Sequence, residues 1–220
     1  MKEVFRDRTE AGRLLAERLV AYADREDVLV LGLPRGGVPV AFEVADRLHA
    51  PLDVFVVRKL GVPGHEEYAF GAIASGGICF FDEEVVKEVH ISQTLIDKIV
   101  AREERELQRR ELAYRGHEAS PLIQGKIALL IDDGIATGST MIAAARAVRL
   151  QQPRRLIIAV PTAPPPSCAR LAAEADEVIA LIKPADFFAV GQWYIDFRQT
   201  SDQEVRDLLA KAGHEPARAA

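Results

Sequence analysis

The sequence predicts a doubly wound α/β fold: a mainly parallel β-sheet flanked by helices, with a glycine-rich flexible loop and a small hood segment added to it. Three observations predict this. Five short runs are almost continuously apolar, at 28–31, 54–57, 127–131, 156–160 and 178–182, and strands buried on both faces read this way. Amphipathic or alanine-rich segments lie between the runs, so strands alternate with helices and the crossovers are right-handed. The length of 220 residues, 49% of them hydrophobic, suits one domain with a well-buried core. That single domain (1–220) divides into a core of about 25–182, a hood of about 183–200 and a C-terminal helix of about 201–212.

In chain order, residues 8–23 carry Leu14, Leu15 and Leu19 at helical spacing. A first strand at 28–31 then runs into Gly36-Gly37 and a helix over 38–49, and the second apolar run, 54–57, reads as the next strand. Residues 61–77 hold five of the chain's 15 glycines and read as a mobile loop or a glycine-rich hairpin over a site. Residues 92–117 form one long helix with Ser92 as N-cap and mixed charges along it, which reads as a solvated surface helix. The strand at 127–131 leads into a helix over 138–150, and the strand at 156–160 into a helix over 166–175 after Pro164-Pro165-Pro166. Ser201-x-x-Glu204 has the pattern of a capping box that opens the last helix, and 214–220 reads as a frayed tail.

Composition excludes several classes of function. With 28 basic and 33 acidic side chains the net charge is −5, which argues against a nucleic-acid binder. No apolar run approaches the roughly 18 residues of a membrane span, and the N-terminus lacks the apolar stretch of a secretory signal. Cys79 and Cys168 are far apart in sequence and read as reduced thiols of a cytoplasmic protein.

The informative stretch is 127–141, IALLIDDGIATGSTM. A buried strand ends in Asp132 and Asp133, Gly134 makes a tight turn, and Thr137, Gly138, Ser139 and Thr140 open an alanine-rich helix. Amide N–H groups at a helix start, with three hydroxyls beside them, cradle a phosphate. The two carboxylates lie at the carboxyl end of a strand, where open α/β sheets bind ligands. Carboxylates repel phosphate but accept hydrogen bonds from vicinal hydroxyls, so the pattern describes a ribose 5-phosphate. No lysine follows Gly138, which excludes a Walker A loop, and 32–37 does not fit a dinucleotide fingerprint. Position 69 is Ala, so His65-Glu66 is not a zinc motif.

This segment resembles the phosphoribosyl pyrophosphate signature of the type I phosphoribosyltransferases, and the chain follows that family's order over roughly 25–197. The resemblance implies Mg²⁺-assisted transfer of a 5-phosphoribosyl group from phosphoribosyl pyrophosphate to a nitrogen of a small planar acceptor, releasing pyrophosphate. By that resemblance Asp132 and Asp133 hold the ribose hydroxyls and lie near the metal. Gly134, Ala136, Thr137, Gly138, Ser139 and Thr140 line the 5-phosphate site. Arg35-Gly36-Gly37, where the glycines allow close backbone approach and Arg35 offers a guanidinium fork, resembles the family's pyrophosphate loop. Arg58-Lys59 resembles its basic pair, although a solvated pair reads the same way. Arg35 and Lys59 would stabilise the departing pyrophosphate. The 61–77 segment corresponds to the family's closing loop, which keeps water from an oxocarbenium-like transition state, and Glu67 in it is a candidate base or orienter.

The segment 183–197 is similar to the purine-binding hood of hypoxanthine-guanine phosphoribosyltransferases, with one extra residue between Gly191 and Asp196. By analogy Phe188, or else Trp193, stacks on a flat base, Lys183 meets an exocyclic oxygen and Asp196 lies near the metal; the aromatics equally suit a core. The setting implied is nucleotide metabolism, with purine salvage as one form. Ala136 stands where 6-oxopurine enzymes carry a carboxylate, which counts against a 6-oxopurine acceptor. A sensor of phosphoribosyl pyrophosphate or of a nucleotide on the same fold is the alternative to a transferase, and a hydrolase is a third reading. Family members are often homodimers.

Overall fold

A computed structural model describes residues 4–116 and 122–213, the side chains of 66 and 67 excepted; the tail at 214–220 lies outside these residues. The main sheet has five parallel strands in the order β2-β1-β6-β7-β8, namely Leu52–Val54, Val28–Gly32, Ile127–Ile131, Arg155–Thr162 and Glu177–Ile182. Alternate strand residues explain the continuous apolar runs. Val28, Val30, Ile127, Leu129, Ile157 and Ala159 pack against helices α1 (Arg8–Arg18) and α2 (Gly37–Leu48) on one face. Leu29, Leu31, Ala128, Leu130, Leu156 and Ile158 face α5 (Ser139–Leu150) and α6 (Pro165–Leu171) on the other. Both side-chain sets must therefore be apolar, and each fully buried Leu or Ile contributes about 1.5–3 kcal/mol.

The strand order reverses between β1 and β6: β2 lies on one side of β1 and β6 on the other. Connections leave these two strands in opposite directions, and the crevice at their carboxyl ends is where such sheets take ligands. Leu33 N–H bonds Ile131 O at 2.9 Å, holding the two loops together there.

The run at 54–57, expected to form one strand, is split between two sheets. Phe55 N–H still bonds Gly32 O, but Val56 N–H goes to the buried Ser75 hydroxyl at 3.0 Å, and β3 (Val57–Val62) starts a separate antiparallel sheet. This sheet runs β3-β4-β5, with β4 His65–Ala74 and β5 Ile78–Phe81. The glycine-rich 61–77 segment is thus a hairpin arm, the second of its two readings; Gly64 at its turn has φ +79°. A short helix, α3 (Glu83–Glu88), follows, capped by the Asp82 side chain.

The long helix α4 (Gln93–Arg115) corrects the solvated reading. Ile96, Ile99, Leu107 and Tyr114 are buried with Leu60, Phe70 and Val205 of α7 (Asp202–Gly213). Ser92 occupies its N-cap position but makes no side-chain cap bond, whereas Ser201 Oγ accepts the Glu204 N–H at 3.1 Å. The first helix ends at Arg18, earlier than expected, with a 3₁₀ turn at Val20–Tyr22. No helix among the described residues is long and apolar enough to cross a membrane.

Candidate active site

Two loops meet at the switch point, 33–37 after β1 and 132–138 after β6. Their contact leaves no room for side chains at the glycines. A Cβ on Gly36 would stand 2.1 Å from Asp133 Oδ2, and one on Gly37 would stand 2.8 Å from both Asp132 Cα and Ile131 O. The sequence puts Gly-Gly here because the aspartate loop passes directly over it.

Asp132 and Asp133 are largely enclosed. Asp132 Oδ1 accepts the Asp133 N–H at 2.9 Å. Asp133 Oδ2 accepts from Arg8 Nε at 2.8 Å and forms an ion pair with Arg8 Nη2 at 2.7 Å, and the Asp133 carbonyl accepts the Tyr194 hydroxyl at 2.6 Å. Burial, then the neighbouring Asp133 carboxylate, pushes Asp132 well above the usual carboxylate range. Asp133 is also raised by burial, with Arg8 opposing the rise. Tyr194 is raised by burial and by the charge of Asp133.

Beyond the carboxylates, Gly134 packs against Val190 and Thr162. Gly138 has φ +81°, a conformation that favours glycine, and it turns the chain into α5. Ile142 N–H bonds Gly138 O at 2.8 Å, so the N–H groups of residues 139–141 precede the first intrahelical bond and point out of the helix end. Ala136, Thr137 and Thr140 are exposed, Ser139 is half-buried, and Thr137 Oγ1 lies 3.2 Å from Ser139 Oγ. The loop is tied down from α6: Ser167 Oγ donates to Ala136 O at 2.6 Å and the Arg170 guanidinium to Thr137 O.

The pyrophosphate-loop candidates differ from one another. Gly37 N–H is used by Leu33 O and Val38 N–H by Arg35 O. Among the described residues no backbone bond outside the helices and strands takes the Arg35 or Gly36 amide, so these two, rather than the head of α2, are the ones open to an anion. The Pro34–Arg35 peptide is cis. The Arg35 side chain is partly exposed and lies 3.6 Å from Asp202. Arg58 is committed elsewhere: its Nε and Nη2 donate to the buried Glu103 of α4 at 2.8 and 2.5 Å. Strand alternation puts Lys59 on the opposite face, with Val57 on the side of α5. The Glu67 side chain lies outside the described residues.

The hood residues separate as well. Trp193 is only 5% exposed, in a cluster with Phe5, Ala11 and Tyr194, so it fills core rather than offering a ring face. Phe188 is 91% exposed. Asp196 bonds the Arg198 N–H and is not gathered with Asp132 and Asp133: no group of three or more His, Cys, Asp or Glu among the described residues could hold a metal ion. Two adjacent carboxylates without a cage do fit Mg²⁺, which binds through one or two carboxylates plus substrate phosphates.

Arg8, Tyr194, Ser167 and Arg170 support the site and escaped the sequence reading. Arg8 lies 125 positions before Asp133, and no local pattern links the two. For Ser167 and Arg170, the one signal was a helix opening after the next strand.

Comparison with known proteins shows the family and the fold. The family model "Phosphoribosyl transferase domain" matches residues 5–194. A Mycobacterium tuberculosis protein named "Putative phosphoribosyl transferase", from two strains, is 50% identical over 218 residues. The match covers 99% of this chain and 49% of that protein, so the chain spans about half the length of the curated relatives it matches. The crystal structure of TT1426 from Thermus thermophilus is similar at 43% identity and a TM-score of 0.86, covering 94% of this chain and 98% of the other. The chain belongs to the phosphoribosyl transferase domain family.

Proposed function

We propose that this chain transfers the 5-phosphoribosyl group of phosphoribosyl pyrophosphate to a nitrogen of a small planar, nucleobase-like acceptor, with release of pyrophosphate. The carboxylate oxygens after β6 carry this reading. Asp132 Oδ1 is taken by a backbone amide and Asp133 Oδ2 by Arg8. The second oxygen of each carboxylate has no arginine or lysine on it among the described residues, and the two carboxyls lie within hydrogen-bonding reach of each other. Two acceptors on adjacent residues suit two vicinal hydroxyls, and the open 137–140 turn suits the 5-phosphate of the same sugar.

In this arrangement Asp132 and Asp133 orient the ribose. Thr137, Ser139, Thr140 and the amides that open α5 anchor the 5-phosphate. Arg35, after leaving Asp202, meets the pyrophosphate with the Gly36 amide, and Lys59 lies on the α5-facing side of β3 to assist. Arg58 serves the fold through Glu103. Mg²⁺ bound by donor oxygens and the aspartate pair would neutralise the leaving group. The β3–β4 arm can exclude water from the anomeric carbon. Exposed Phe188, two residues before the Val190 that covers Gly134, offers a stacking face. Ala136 supplies no proton acceptor, which favours an acceptor acidic enough to arrive as an anion.

The test is pyrophosphate release from Mg²⁺ and phosphoribosyl pyrophosphate with a panel of purine and pyrimidine bases. Base-dependent release is expected. Release without any base indicates a hydrolase, and donor binding without release indicates a sensor; either result refutes the transferase.

A further inference from the structure

We propose that Arg8 is a positioning residue for the donor's ribose: by fixing the Asp133 carboxyl, it presents a single oxygen to one of the two sugar hydroxyls. This rests on the donor reading above. Arg8 opens α1 one residue after its N-cap Asp7, whose Oδ1 accepts the Glu10 N–H at 2.8 Å. The helix start is therefore rigid where the side chain departs. The guanidinium is nearly buried, at 11% exposure, and all three nitrogens are engaged. Nε and Nη2 converge on Asp133 Oδ2 at 2.8 and 2.7 Å, while Nη1 donates to Arg198 O at 2.7 Å. The plane lies over the Phe197 ring, 4.0 Å from its centroid.

Two donors converging on one carboxylate oxygen fix the rotation of that carboxyl as well as its place. Gly36 closes a second side, next to the guanidinium, since its Cβ would fall 2.1 Å from the same oxygen and 3.3 Å from Arg8 Nη2. Tyr194 fixes the backbone by its bond to Asp133 O. Oδ2 is walled in from two directions, and Oδ1 is the oxygen that can meet a ligand. Tyr194 and Phe197, in the segment similar to a purine-binding hood, here support the arginine that sets this carboxyl. Arg8 itself acts on the ligand only through Asp133.

The experiment measures, by calorimetry, binding of ribose 5-phosphate and its 2-deoxy and 3-deoxy analogues to the intact chain and to Arg8→Gln and Arg8→Lys. A hydroxyl on a charged acceptor is worth about tenfold or more in affinity, so the unaltered chain should discriminate against both analogues. Arg8→Gln should lose discrimination against one analogue, to within about threefold, and keep it against the other. Arg8→Lys, with the charge but not the fork, should be intermediate. Unchanged discrimination in Arg8→Gln overturns the role of Arg8 alone, as does equal weakening of all three ligands, which marks a merely structural residue. If Arg8→Gln does not unfold cooperatively, Arg8→Lys decides by the same ratios. Binding of no sugar phosphate by the unaltered chain overturns the donor reading, and the role of Arg8 with it.

Discussion

Gly37→Ala probes the junction on which the site is built. Gly37 carries no positive φ, and alanine in a helix should gain about 0.5–1 kcal/mol over glycine. Contacts reverse that sign. The new methyl would stand 2.8 Å from Asp132 Cα and from Ile131 O, about 0.6 Å inside ordinary contact at 3.4 Å, and both neighbours are backbone. Relief requires the 33–37 and 132–138 loops to separate, stretching the Leu33 N–H to Ile131 O bond. Overpacking of this kind costs about 1–3 kcal/mol, so the net loss should be about 1–2 kcal/mol. For a chain of this size that lowers Tm by about 2–8 °C. Displacing Asp132 by a fraction of an ångström should weaken donor binding by about tenfold or more. Scanning calorimetry and titration with phosphoribosyl pyrophosphate measure both, with Gly213→Ala as control, because nothing lies within 4 Å of a Cβ there. Unchanged Tm and affinity in Gly37→Ala would refute the claim that loop contact builds the site.

Asp132→Asn separates stability from function. Because the folded protein raises the Asp132 pKa, this group's contribution to stability is complete below the usual carboxylate range and is lost as pH rises through the raised value. The variant should therefore melt higher than the parent at pH 8 but not at pH 4, while binding donor more weakly; melting curves at both pH values check the sign. Ser167→Ala removes the bond to Ala136 O and should cost about 1 kcal/mol, read as a lower Tm and a few-fold weaker affinity for ribose 5-phosphate. Arg115→Ala leaves the half-buried Asp53 without the cation 2.8 Å away and should cost about 1–3 kcal/mol. Denaturant melts measure that loss, and Asp53→Asn added to it should recover part.

The main sheet was legible because its strands are buried on both faces, so the sequence marks them as unbroken apolar runs. The same property hid the break after Val54: four apolar residues carry no punctuation, and the chain is diverted by distant partners, with Ser75 Oγ taking Val56 N–H, Ser75 N–H bonding Val56 O and β4 pairing from Val57 on. In α4 the charged residues obscured a stripe at Ile96, Ile99, Leu107 and Tyr114, whose helical spacing was there to be read. The aspartate loop and the glycine pair were legible because consecutive residues build them. Arg8 and Tyr194 were not, since their partner Asp133 lies 125 and 61 positions away. Arg58 and Trp193 show the converse: residue type suggested ligand contact, and tertiary contact spends them on Glu103 and the core.

The most direct measurement is calorimetric titration of Mg²⁺ and phosphoribosyl pyrophosphate into the intact chain, Asp133→Asn and Thr137→Val. The account predicts binding by the intact chain and a loss of about tenfold or more in each variant, one at the diol end and one at the phosphate end. Affinity preserved in both variants would contradict it.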